Sequence, residues 1–209
     1  MPLLGHIGNI WRYPIKSLRA QPLESAQVLS DGIAGDRAGA LYVTGGHARL
    51  GKTYRGKENN RLHTTDRVDA ARAFAGGIGL EYRADAGERY FDAAPVSLLF
   101  DTWLAQGSAL VGYALDPLRF RPNIFALACE EGVPLESPLI GSEMQIGEVR
   151  LRVREGIGRC VTTTYDIQTG ESDENVLFAV ARNRANLMGV YCDVVRTGEI
   201  FRGDPIARL

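Results

Sequence analysis

Apolar and polar side chains alternate along much of this chain in short stretches, the pattern of strands buried on one face. Val149, Leu151 and Val153 alternate with Arg150, Arg152 and Arg154 in EVRLRVREG, residues 148–156. Similar β-rich runs are HIGNIWRY (6–13), SAQVLS (25–30), GALYVTG (39–45), RFRPNIFAL (119–127), CVTTTYD (160–166) and GVYCDVV (189–195). Glycine-rich turns separate them, which predicts a mainly β fold of barrel or sandwich type. A few helices interrupt it. TTDRVDAARAFAGG (64–77) opens on a Thr/Asp cap and closes on Gly76–Gly77. APVSLLFDTWLAQG (94–107) reads as a second helix, and SDENVLFAVARNRAN (172–186) as a third, with Ser172 or Asp173 as its cap. The polar stretch ADAGERY (84–90) is the weakest join and marks a soft domain boundary.

A chain of 209 residues is long enough to bury a core without staples. The 24 basic and 25 acidic residues leave a net charge of −1, without the net positive charge that drives nucleic-acid binding. No apolar run approaches the length of a spanning helix, so no membrane insertion is expected. The opening MPLLGHIGNIWRYPIK lacks the pattern of a secretory signal. Three widely spaced cysteines, Cys129, Cys160 and Cys192, fit a reducing cytoplasm better than a disulfide framework. They cannot supply the four thiolates common to iron–sulfur clusters.

GHARLGKT (46–53) matches the phosphate-cradling G-x-x-x-x-G-K-[ST] string. That mechanism needs a helix starting at the lysine, and YRGKENNRLH after Thr53 has no helical periodicity. A glycine-bearing turn is the better reading. Lys52, Arg55, Lys57 and Arg61 then form a solvated loop or rim an anionic site. His6, His47 and His63 show no metal-ligand spacing, and a zinc site is not expected.

Cys160 follows Arg159 and precedes three hydroxyl residues. Neighbours on a strand point to opposite faces, but bends near Gly156 and Gly158 would bring the guanidinium close to the sulfur and favour thiolate. Thiolate binds soft metals or attacks electrophiles. A buried structural cysteine is the ordinary alternative, and core packing is expected for Cys129 and Cys192. Arg119 and Arg121 in RFRPNI share a face if the segment is a strand, where with Asn123 they would suit a planar anion; a surface pair is the alternative.

Five blocks in order, YPIKSL (13–18), DGIAGDR (31–37), RFRPNI (119–124), GRCVTTTYD (158–166) and GVYCDVV with GEIFRGDPI (189–206), resemble the MOSC proteins, named for the C-terminal domain of molybdenum cofactor sulfurase. The likeness spans roughly residues 5–206 and is closest to the branch containing the mitochondrial amidoxime reducing component. It implies a small N-terminal β-barrel-like domain over residues 1–88 and a MOSC domain over 89–209. It implies the molybdenum cofactor (molybdopterin), with Cys160 as metal ligand and catalytic thiolate, and Lys16, Ser17, Arg37, Arg121, Asn123 and Arg159 binding the pterin or its phosphate. The expected activity is reduction of N-hydroxylated small molecules, with electrons from a separate reductase or electron-carrier protein. A non-catalytic cofactor or persulfide carrier is the alternative. Phe100 and Trp103 stand where the family carries small hydroxyl residues and are expected to narrow the pocket. LGKTYRGKENNRLH (50–63) also departs from the family's usual run.

Overall fold

The computed structural model describes residues 1–85, 87–130 and 132–209; Ala86, inside the expected domain boundary, lies outside the described residues. Strand β1 (Leu3–Arg12) is followed by β2 (Gln21–Leu23), β3 (Ser25–Leu29), β4 (Gly32–Ile33), β5 (Ala40–Gly45), helix α1 (Val68–Phe74) and β6 (Gly79–Arg83). Then come β7 (Val96–Phe100), α2 (Asp101–Val111), β8 (Ile124–Ala128), β9 (Glu143–Ile146), β10 (Val149–Gly158), α3 (Glu174–Asn183), β11 (Leu187–Arg196), β12 (Gly198–Phe201) and β13 (Pro205–Arg208).

The sheet runs β13-β9-β10-β11-β7-β8-β1, and pairing of β1 with β13 closes it into a seven-stranded barrel. Only β7 and β8 pair in parallel. Closure leaves the barrel without a bare edge, and β2 extends it beside β1. The interior is apolar and dry, with Leu98, Phe100, Ile124, Val149, Leu151, Val190 and Cys192 all buried. Alternation along β10 works as its sequence predicts: its valines and leucine face inward, while Arg150 and Arg152 pair with Glu143, and Arg154 with Asp193, on the outside.

The hairpin of β5 and β6 packs with α1 over a second, smaller core of Leu18, Leu41, Val43, Tyr54, Leu62, Ala71 and Leu80. β12 pairs with β3, and β1 pairs with β8 and β13. The segments on either side of residue 88 are therefore hydrogen-bonded into one another.

Three sequence readings are corrected. APVSLLFDTWLAQG is half strand and half helix, because Val96–Phe100 are buried on every side and their continuous apolar run carries no periodicity. RFRPNIFAL is a strand only from Ile124; Arg119 lies in a 3-10 turn (Pro117–Phe120), and Arg121 adopts left-handed backbone at φ 53°. The two arginines do not share a strand face. CVTTTYD is a 3-10 turn over Val161–Thr164. Its hydroxyls close the turn locally: Thr163 Oγ1 donates to the Cys160 carbonyl at 2.9 Å and Thr164 Oγ1 to the Val161 carbonyl at 2.7 Å.

Candidate functional site

A cavity of about 330 Å³ is lined by chain segments from both the barrel and the smaller lobe. Cys160 lines it from the end of β10, as the residue capping the 3-10 turn that follows. Its sulfur is exposed and lies 3.3 Å from the Thr162 hydroxyl. Arg119 props this turn from behind: it is buried, donates to the Thr164 carbonyl at 2.7 Å and pairs with Asp166 at 3.1 Å.

Lys16, Ser17, Arg37, Arg121 and Arg159, all expected from sequence, line the same cavity as Cys160. Three of them sit in left-handed backbone, Ser17 at φ 72°, Arg37 at 45° and Arg121 at 53°. Such backbone costs energy for a residue with a side chain and is tolerated where surrounding contacts over-determine it. Here the contacts are visible. The Tyr13 ring lies between two guanidiniums, Arg121 at 4.2 Å and Arg37 at 4.8 Å from its centroid. Cation–π attraction on both faces offsets part of the repulsion between like charges. Buried Asp36 pairs with Arg37 and accepts the Tyr13 amide at 2.7 Å.

Asn123 is not among the cavity's lining residues. It is fully buried behind the wall. Its carbonyl oxygen accepts from the Ser97 amide at 3.1 Å, the Ser97 hydroxyl at 3.0 Å and Arg37 at 3.3 Å, and its amide donates to the Trp11 carbonyl at 3.2 Å. Its place in the structure is to fix Arg37 and β7.

Arg159 curls back toward the barrel. It donates to the Met188 carbonyl through Nε at 2.8 Å and to the Phe120 carbonyl through Nη1 at 2.8 Å. Burial lowers the affinity of both Arg121 and Arg159 for their protons, to about 10 in each case, so both stay cationic at neutral pH.

Sequence reasoning passed over several lining residues. Arg55 and Lys57 lie on the loop that carried the alternatives of solvated surface or anionic rim, and they line the cavity. His63 is buried, and its Nδ1 stands 3.0 Å from Arg121 Nη1. Asp92 is the one carboxylate lining the cavity and pairs with Lys16 at 2.5 Å. Tyr191 faces in from β11, its phenol held protonated by burial and by Asp92. Spacing in the sequence marks none of these four segments as neighbours.

Phe100 and Trp103 do not narrow the cavity. Both are fully buried in the barrel core, edge to face at 5.0 Å, with the indole N–H donating to the Pro134 carbonyl at 3.0 Å. Cys129 is also not a core residue: it is half-buried, and its thiol donates to the Leu3 carbonyl at 3.0 Å. Cys192 is in the core, where burial pushes its thiol up to about 12. The G-x-x-x-x-G-K-T string crosses a turn, and Thr53 bridges to Tyr42 with no helix following Lys52. Among the described residues no cluster of three His, Cys, Asp or Glu could hold a metal ion, and no helix is long and apolar enough to cross a membrane.

The seven cations lining this cavity are Lys16, Arg37, Arg55, Lys57, Arg119, Arg121 and Arg159. Asp92, Asp36, Glu58 and Asp166 pair with four of them. Arg121 Nη2 is buried without an acceptor. An orphan donor of this kind among excess positive charge fits an anionic ligand. The exposed thiol fits a soft metal.

Fold and cavity together define a closed β-barrel protein with a cationic, thiol-bearing site. Residues 87–207, more than half of the chain, match the family model of the MOSC domain, and the chain belongs to that family. It is 28% identical over 129 residues to mitochondrial amidoxime-reducing component 1 of Danio rerio, and 29% identical over 134 residues to that of Xenopus laevis. Each match covers 57% of this chain and 38% of the relative, so the chain matches well under half the length of those proteins. Among solved structures, the YuaD protein from Bacillus subtilis shares the fold at a TM-score of 0.61 and 15% identity, over 98% of this chain and 94% of that one. YiiM from Escherichia coli does so at 0.51 and 10%, over 100% and 70%.

Proposed function

We propose that this chain binds the molybdenum cofactor and reduces N-hydroxylated small molecules, drawing electrons from a separate reductase or electron-carrier protein. The supporting observation is one exposed thiol, Cys160, in a single cavity with unpaired buried cations from distant segments. When bound, the cofactor supplies the two-electron chemistry that removes oxygen from nitrogen. The balance is one N–O bond broken, two electrons and two protons consumed, and an amine and water released.

The chain's own residues hold and shield. Cys160 offers its thiolate as the soft donor. Lys16, Arg37, Arg121 and Arg159 oppose the charge of the pterin phosphate, and Ser17 places a hydroxyl among them. Asn123 keeps Arg37 in place. Tyr191 is a neutral phenol on the cavity wall, suited to pass a proton to departing oxygen. The amidoxime-reducing components are named for such a reaction, which favours this substrate class.

The test is elemental analysis of full-length protein made in cofactor-competent cells. Wild type is expected to carry near-stoichiometric molybdenum and to reduce an amidoxime with an artificial electron donor, and Cys160→Ser is expected to do neither. Wild type without molybdenum sinks the proposal. The second reading, a cofactor or persulfide carrier, draws on the sulfur itself: among the described residues its hydrogen-bond partner is a threonine, with no acid or base beside it. It expects bound cofactor, or a sulfur adduct on Cys160 by mass spectrometry, with no reductase activity.

A further inference from the structure

We propose that His63 is a positioning residue for anion binding, a neutral imidazole that accepts a hydrogen bond from Arg121 and thereby sets the guanidinium's unpartnered end for the ligand. The inference rests on the reading of this cavity as an anion site and adds a residue from the segment that departs from the family pattern.

The protonation state follows from the donors. A guanidinium can only donate, so Nδ1 of His63, 3.0 Å from Arg121 Nη1, must carry a lone pair. The proton of a neutral ring then sits on Nε2. Burial lowers the ring's pKa to about 3, Arg121 lowers it further, and the Ser17 carbonyl opposes them weakly. A protonated ring would repel Arg121 and could not accept from it. His63 therefore stays neutral throughout the physiological range.

Packing holds the ring in one orientation. His63 lies against Tyr165, with centroids 6.0 Å apart. On another side it touches Gly56, where an added Cβ would stand 2.5 Å from the ring's Cε1. Gly56 in turn donates its amide to the Ser17 hydroxyl at 2.9 Å. The glycine thus admits the ring, the ring receives Arg121 Nη1, and Tyr13 supports the guanidinium's face at 4.2 Å. Arg121 Nη2 remains, buried and without a partner. His63 Nε2 is likewise buried without a hydrogen bond, a second neutral donor on the same wall. Two orphan donors side by side are costly in an empty protein and are satisfied by oxygens of an anion.

The experiment uses inorganic phosphate as probe, titrated calorimetrically into full-length protein made in cells that lack the cofactor. His63→Leu is expected to weaken phosphate binding about tenfold, the size of one hydrogen bond to a charged group. His63→Asn, which keeps an acceptor oxygen near the position of Nδ1, is expected to stay within about threefold of wild type. Arg121→Gln weakens binding by itself, and adding His63→Leu to it should cost no more than about twofold further, because the histidine acts through the arginine. Additive losses, an unaffected His63→Leu, or wild type that binds no phosphate would each overturn the inference. If His63→Leu does not fold, the Asn and Arg121 variants decide it: an Asn variant as weak as Arg121→Gln refutes the role. Absence of molybdenum from the wild type made in cofactor-competent cells would remove the redox proposal and leave this coupling standing.

Discussion

Strand β10 passes from one environment to another along its length. Its first half lines the barrel, where Val149, Leu151 and Val153 are buried among apolar neighbours. Its far end delivers Ile157, Gly158, Arg159 and Cys160 to the cavity. In the barrel the packing of apolar side chains is well served: β-branched residues in strands and closed ladders. At the cavity that order breaks down. Non-glycine residues take left-handed backbone, guanidiniums are buried, and donors lack acceptors. Each of these costs stability. The barrel supplies the rigidity that lets the cavity keep them. Function resides where the local rules are broken, and stability where they are kept.

Substitutions on the two sides should separate accordingly. Trp103→Ala in the barrel removes a fully buried ring and is expected to cost about 3–5 kcal/mol in denaturant unfolding. Cys160→Ser in the cavity should change stability by less than about 0.5 kcal/mol, the range of surface substitutions, while abolishing molybdenum retention. Equal destabilisation by the two would erase the contrast.

Gly189 stands on the seam between them. Its φ is 92°, and a Cβ there would lie 2.9 Å from the Leu98 carbonyl oxygen and 3.2 Å from Arg159 Nη2. Gly112 has a similar φ of 85° with nothing within 4 Å. Gly189→Ala should therefore cost about 2–3 kcal/mol and weaken phosphate binding through Arg159, whereas Gly112→Ala should cost about 1 kcal/mol and leave binding unchanged. If the two glycines behave alike in both assays, Arg159 is not held as the geometry indicates.

The same division explains what the sequence revealed. The barrel strands announced themselves by alternation, as in β10, because one buried face imposes a period of two. β7 hid in a helical reading because it is buried on all sides and has no period. At the site, Lys16, Ser17, Arg37, Arg121 and Arg159 were legible through ordered motifs, and the structure brings them to one cavity with Cys160. Their conformations were not legible, since left-handed backbone at Arg121 is set by the Tyr13 stack and the His63 contact rather than by local preference. His63 itself carried no signal. A lone histidine in a polar loop becomes meaningful only when tertiary folding sets it against an arginine 58 residues away.

The smallest expected effect lies at Asp92, the cavity's own carboxylate. Burial favours its protonated form, but Lys16 at 2.5 Å outweighs this, with help from Arg37 and Arg121, and holds the carboxyl below its ordinary range. A depressed folded-state pKa contributes stability above the unfolded value, and that contribution is lost as pH falls through the folded-state value. The Asp92 side chain is 73% exposed, so solvent screens the pair and Asp92→Asn should cost less than about 1 kcal/mol at neutral pH. That gap between variant and wild type should close on acidification. Removing the carboxylate also frees Lys16 from an internal competitor, so phosphate affinity of the cofactor-free protein should rise, by about threefold or less. A fall in affinity would mean that Asp92 organises Lys16 for the ligand instead of competing with it, and the cavity's charge balance would have to be drawn differently from the picture of four paired cations awaiting an anion.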